Sequence, residues 1–248
     1  KTEINLLPLR YYNGVIRIIQ TAEQAKNACA ILSKEKLLLE RWNMESKMQT
    51  GLLLVLGAIV SAIGWMGIYP VGDNAPEIAQ ALLDDPTTGK LGMLLGYGGM
   101  VSVMMGLHFL SRGMTNGGGS GAAYTNISSI LFVALIPGFV IGLGFEWANT
   151  VAANIQEAVL LQNLSFAIGG GFSLVMGIGL LLTAVSIILE KTYHILVAIL
   201  PLIAGVALPV STLTATGSPL QIVAWMSFML SAIVLGAMNI RDARQSSS

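Results

Sequence analysis

Apolar and polar positions fall along this chain in long blocks, not in a short alternation. Six apolar runs follow one another: Gln49–Tyr69, Leu91–Leu110, Ile127–Trp147, Leu164–Leu189, Ile195–Leu213 and Leu220–Ile240. Each has the length of a membrane-crossing helix, roughly 20 residues, and none carries an acidic or basic residue in its middle. Lipid offers no partner to a backbone N–H or C=O, so each run must be helical. The expected fold class is an all-α integral membrane protein. It is a six-helix transmembrane bundle over residues 44–240 with a tail at 241–248. A short N-terminal cytoplasmic segment, α/β-like or helical, occupies residues 1–43.

Composition agrees with the pattern. Of 248 residues, 54% are hydrophobic and only 10% charged, against about 25% charged in an average soluble domain. Glycine is abundant at 28, as expected where small residues let helix backbones approach in lipid. Gly92 and Gly96 form one GxxxG pattern and Gly138 and Gly142 another, and both read as helix-packing positions. Pro137, Pro201 and Pro209 fall inside helices and are expected to bend them. A GGxxSxxMG pattern starts at Gly98 and again at Gly169, a faint sign of an internal repeat.

Charge is carried by the connections. The stretch 70–90 holds Asp73, Glu77, Asp84 and Asp85 against Lys90, and the stretch 148–163 holds Glu157 without a base. Lys47, Arg112, Lys191, Arg241 and Arg244 fall on the opposite set of connections. With six helices the basic ends all lie on one side, and the positive-inside rule places both termini in the cytoplasm. Trp65, Tyr69 and Trp147 then fall at the outer interface, where aromatic belts form. Formal net charge is zero, which gives no footprint for a nucleic acid. Cys29 stands alone, so no intrachain disulfide forms.

Residues 1–43 differ from the rest and hold seven of the thirteen basic residues. Val15–Gln20 reads as a short strand. Thr21 and Gln24 make a capping box for a helix at Ala22–Leu32, and Lys36–Leu39 begins a further element. The stretch from Leu9-Arg10-Tyr11-Tyr12 through Ser33-Lys34-Glu35-Lys36-Leu37-Leu38 resembles the opening of a ribonuclease D-type 3′–5′ exonuclease domain. In that family a strand and helix lead into a second strand ending in a metal-binding Asp-x-Glu. Here the chain continues Leu39-Glu40-Arg41-Trp42-Asn43, so the resemblance implies neither activity nor site residues. Met44-Glu45-Ser46-Lys47-Met48 looks like a natural start for a membrane protein, and residues 1–43 read either as an appended fragment or as an amphipathic cytoplasmic segment whose basic residues could meet anionic lipid headgroups. No signal peptide is visible at the start.

Few residues suggest chemistry. Glu146, with Asn149 one turn on, is the ion or transport candidate, because a carboxylate within a membrane costs roughly 3 kcal/mol. His108, Glu190 and His194 fall at one side of the membrane and form a candidate metal set of imidazole and carboxylate donors. The loop Gly117–Gly121 lacks the Gly-Lys-Ser/Thr of a phosphate-binding loop. Helix interiors hold no lysine, which excludes a retinal Schiff base, and no cofactor is implied. The expected partners are the lipid bilayer and a protein partner or second copy meeting glycine-rich helix faces. Three functional readings follow. A non-catalytic accessory or interaction subunit is the expectation, from helices without a polar path. A small transporter or channel built around Glu146 is the second. A membrane enzyme using His108, Glu190 and His194 is the third.

Overall fold

The computed structural model describes residues 46–72, 74–213 and 218–245. The strand and helix expected between Val15 and Leu32, the stretch Leu9–Leu38, the boundary at residue 44 and Asp73 lie outside these. The described residues form helices and connections without a strand. In chain order they are α1 (Ser46–Ile68), α2 (Ala75–Asp84), α3 (Pro86–Asn116), α4 (Ala122–Asn149), α5 (Ile155–Glu190), α6 (Ile195–Ser211) and α7 (Pro219–Gln245).

Five of them, α1, α3, α4, α5 and α7, are long and apolar enough to cross a membrane, which fits a multi-pass membrane protein. The sixth expected span, Ile195–Leu213, is the 17-residue helix α6. At that length it reaches about 26 Å, short of the roughly 30 Å hydrocarbon core. The long helices also extend past the apolar runs. α3 begins at Pro86 because Asp85 caps it, accepting from the Thr88 N–H at 3.1 Å. α5 begins at Ile155 because Asn154 accepts from the Glu157 N–H at 3.0 Å. The Glu157 carboxylate in turn accepts from the N–H of Ala153, the residue before the cap. α4 and α6 run on through Pro137, Pro201 and Pro209 without a break.

Unlike a soluble domain, the bundle exposes many large apolar side chains and buries polar ones among its apolar core. Leu56, Ile63, Ile130, Val140, Leu160 and Val206 are exposed, while Ser61, Ser111, Ser128, Gln162, Thr183 and Ser186 are buried. Lipid tails are as apolar as leucine, so the outside needs no polar cover and the inside is held by close packing and hydrogen bonds. Ser102 donates to the Leu53 carbonyl, Ser186 to the Gly121 carbonyl and Thr183 to Ser128. In sequence order α3, α4, α5, α6 and α7 each pack on the next, and α1 packs on α3. The amphipathic α2 lays Ile78 and Leu82 against the bundle, chiefly on α5.

Candidate functional site

The α4–α5 connection is short, so the two helices are antiparallel neighbours and residues equidistant from the turn meet. Asn149 faces Gln162, and Glu146, one turn further from the turn, faces Ser165. The Asn149 amide donates to the Gln162 side-chain oxygen at 2.7 Å, and the Ser165 hydroxyl donates to Glu146 Oε1 at 2.7 Å. From α3 the Tyr97 hydroxyl donates to the same Oε1 at 3.1 Å. Glu146 is 5% exposed. Its other oxygen, Oε2, is buried with no hydrogen-bond partner, as is the hydroxyl of Tyr69 nearby. No Lys, Arg or His among the described residues pairs with it; Lys90, in the first turns of α3, lies instead over the Trp147 ring, 5.2 Å from its centroid.

Glu146 forms part of the wall of a cavity of about 500 Å³. The cavity lies between α1, α3, α4, α5 and α7 at the end of the bundle where α1, α4 and α6 finish. It runs inward to Met100, Ser173 and Met229, near the middles of their helices. A chain of rings passes along it: Tyr69 to Trp65 at 4.8 Å, Trp65 to Tyr97 at 4.9 Å, Tyr97 to Phe139 at 6.4 Å and Phe139 to Phe172 at 5.0 Å between centroids. None of these pairs is a parallel stack; the planes cross at 55° to 73°.

Local sequence explains how the rings reach the cavity. The end of α1, Ile63–Ile68, is π-helical, closed by the Tyr69 N–H on the Gly64 carbonyl at 2.8 Å. Such wide turns are frequent at functional sites, and this one brings Trp65, Met66 and Tyr69 to the wall. The four glycines expected to pack helices each make room for a ring residue of the cavity. A Cβ on Gly92 would lie 2.8 Å from the Tyr69 backbone, on Gly96 2.5 Å from the Trp65 ring, on Gly138 2.5 Å from the Phe172 ring and on Gly142 3.1 Å from the Tyr97 hydroxyl. These glycines are occupied by contacts inside the chain.

The other candidates are dispersed. His108 Nδ1 lies 2.9 Å from the Ser129 hydroxyl and 3.2 Å from the Ser129 carbonyl. His194 caps α6, accepting from the Leu196 N–H at 3.3 Å. Glu190 meets Thr192 at 3.4 Å, and its other oxygen is buried without a partner. The structure does not bring His108, Glu190 and His194 together, and no group of three His, Cys, Asp or Glu among the described residues is placed to hold a metal ion. Asn149 does not line the cavity; it stands behind Glu146, fully buried against Gln162.

Tyr97, Gln162 and Ser165 are members of the site that the apolar runs did not single out. A phenol or amide within a glycine-rich apolar helix requires a partner, and the symmetric placement of Glu146 and Asn149 with Ser165 and Gln162 about one turn was the signal available. Comparison of the chain with protein-family profiles, curated proteins and solved structures finds no match.

Proposed function

We propose that this is a small membrane transporter or channel-like carrier that takes a ligand into the cavity beside Glu146. The observation that carries the reading is the cavity itself. It is of ligand size, extends from one end of the bundle to the middle of its helices, and has Glu146 as its one acidic or basic wall residue among those described. The expectation of an accessory subunit drew on helices without a polar path through the middle; a cavity that reaches the middle from one end favours the transport reading over it. The carboxyl has one oxygen fixed by two donors and the other left for a proton, a water or a cationic group. In this reading the chain crosses the membrane six times, with α6 the short crossing, and both termini are cytoplasmic.

Gly170 gives a clean test. It lines the cavity, and a side chain added there meets nothing within 4 Å. With Cys29→Ser as background, Gly170→Cys in sealed vesicles is expected to react with a charged, membrane-impermeant methanethiosulfonate from the non-cytoplasmic side. A thiol that reacts only after denaturation means a cavity closed to water, and ends the reading.

A further inference from the structure

The chemistry of the wall selects the charge of the ligand, an inference that rests on the cavity being a ligand site. Glu146 is buried, its Oε2 has no partner, and no Lys, Arg or His lines the cavity among the described residues. An anion there would face a carboxyl with no cation to hold it. A neutral apolar molecule would fill the volume but leave Oε2 buried and unsatisfied, which is costly. A cation meets both needs. Its charge pairs with the carboxylate, and the hydroxyl oxygens of Tyr69 and Tyr97 stand beside it.

The wall also says what kind of cation. A bare metal ion takes several oxygen ligands, whereas Glu146 is the one acidic residue of the wall, the nearby hydroxyls of Ser165 and Tyr97 are already engaged by its Oε1, and much of the rest is ring and methionine: Trp65, Phe139, Phe172, Met66 and Met100. We infer that the ligand is an organic cation, an amine or quaternary ammonium with an apolar body. Its charged head sits at Glu146 Oε2, between the hydroxyls of Tyr69 and Tyr97. Its body extends along Phe139 and Phe172 toward the middle of the bundle. The hydroxyls of Ser165 and Tyr97 hold Oε1 still, so the carboxyl is oriented before the ligand arrives.

The test uses the full chain in detergent and three molecules of one shape and different charge. These are benzyltrimethylammonium, its uncharged isostere neopentylbenzene, and the anion phenylmethanesulfonate. Trp65 and Trp225 lie in the wall, so tryptophan emission reports binding. The ammonium is expected to bind at least about tenfold more tightly than the neutral isostere, and the anion not at all. Glu146→Gln is expected to remove the preference for charge while leaving the neutral isostere bound. The wild-type comparison stands by itself if that variant does not fold. Equal binding of ammonium and isostere overturns the inference and leaves the cavity reading standing. Absence of binding by all three overturns the inference as well, and the thiol at Gly170→Cys then decides separately whether the cavity reading survives.

Discussion

The two oxygens of Glu146 are treated differently by the fold. Oε1 receives Ser165 and Tyr97; Oε2 has no hydrogen bond of ordinary length, and the Tyr69 hydroxyl, which has none either, stands beside the carboxyl. Two donors on one oxygen fix the plane of the carboxyl and aim the other oxygen. Ser165→Ala removes the 2.7 Å donor and is expected to lower stability by about 1 kcal/mol, within the range of inter-helix hydrogen bonds in membranes. The unfolding midpoint in mixed micelles measures it, and an unchanged midpoint would mean that the bond contributes nothing. At this scale the sequence revealed the acid but not its setting. Glu146 stood out because carboxyls are rare in apolar runs. Its position near a run's end says nothing of its neighbours, and the structure buries it against Ser165 and Tyr97. Nothing in the identity of Tyr97 says which helix supplies its acceptor.

Among the elements, the contact of α1 with α3 shows how fine the packing is. A Cβ on Gly99 would lie 2.6 Å from the Gly57 carbonyl and 2.7 Å from the Ser61 Cα, both backbone, whereas on adjacent Gly98 it meets nothing. Gly99→Ala is therefore expected to cost about 1–3 kcal/mol through overpacking. Gly98→Ala is expected to be neutral or to gain up to about 1 kcal/mol from helix propensity. Paired unfolding curves in detergent check the contrast; equal effects would refute the stated closeness of the helices. The apolar runs located the long helices correctly because lipid compatibility is a property of composition. They missed the helix ends, since caps such as Asp85 and Asn154 lie in polar sequence beyond the run. They also missed the π-helical end of α1, which follows from tertiary contact with α3: a Cβ on Gly64 would meet the Gly92 carbonyl at 2.8 Å.

For the whole molecule, α6 sets the topology. It is apolar but, at 17 residues, shorter than the other five, and it packs between α5 and α7. Gly177 on α5 admits Pro209 and the Gly205 carbonyl, and Gly205 in turn admits Leu181. With α6 as a crossing, the two ends of the chain share a side; without it they are opposed. Two single-thiol proteins, one keeping Cys29 and the other carrying Gln245→Cys in the Cys29→Ser background, are expected to be protected from an impermeant maleimide in intact cells. Both should react in inverted vesicles. Labelling of one from each side would reduce the crossings to five. The number of runs was legible from residue order; whether the shortest crosses depends on how far its neighbours thin the local bilayer or shield its ends.

The symmetry of Glu146 and Asn149 with Ser165 and Gln162 about the α4–α5 turn has a further consequence, in time as well as in space. During synthesis Glu146 leaves the ribosome 19 residues before Ser165. An α4 released alone into lipid would carry an acid without that donor and an amide without Gln162. Entering as a hairpin, the two segments present these groups to each other at the moment of insertion. The same pairing that shapes the cavity thus favours delivery of α4 and α5 to the bilayer as a single unit.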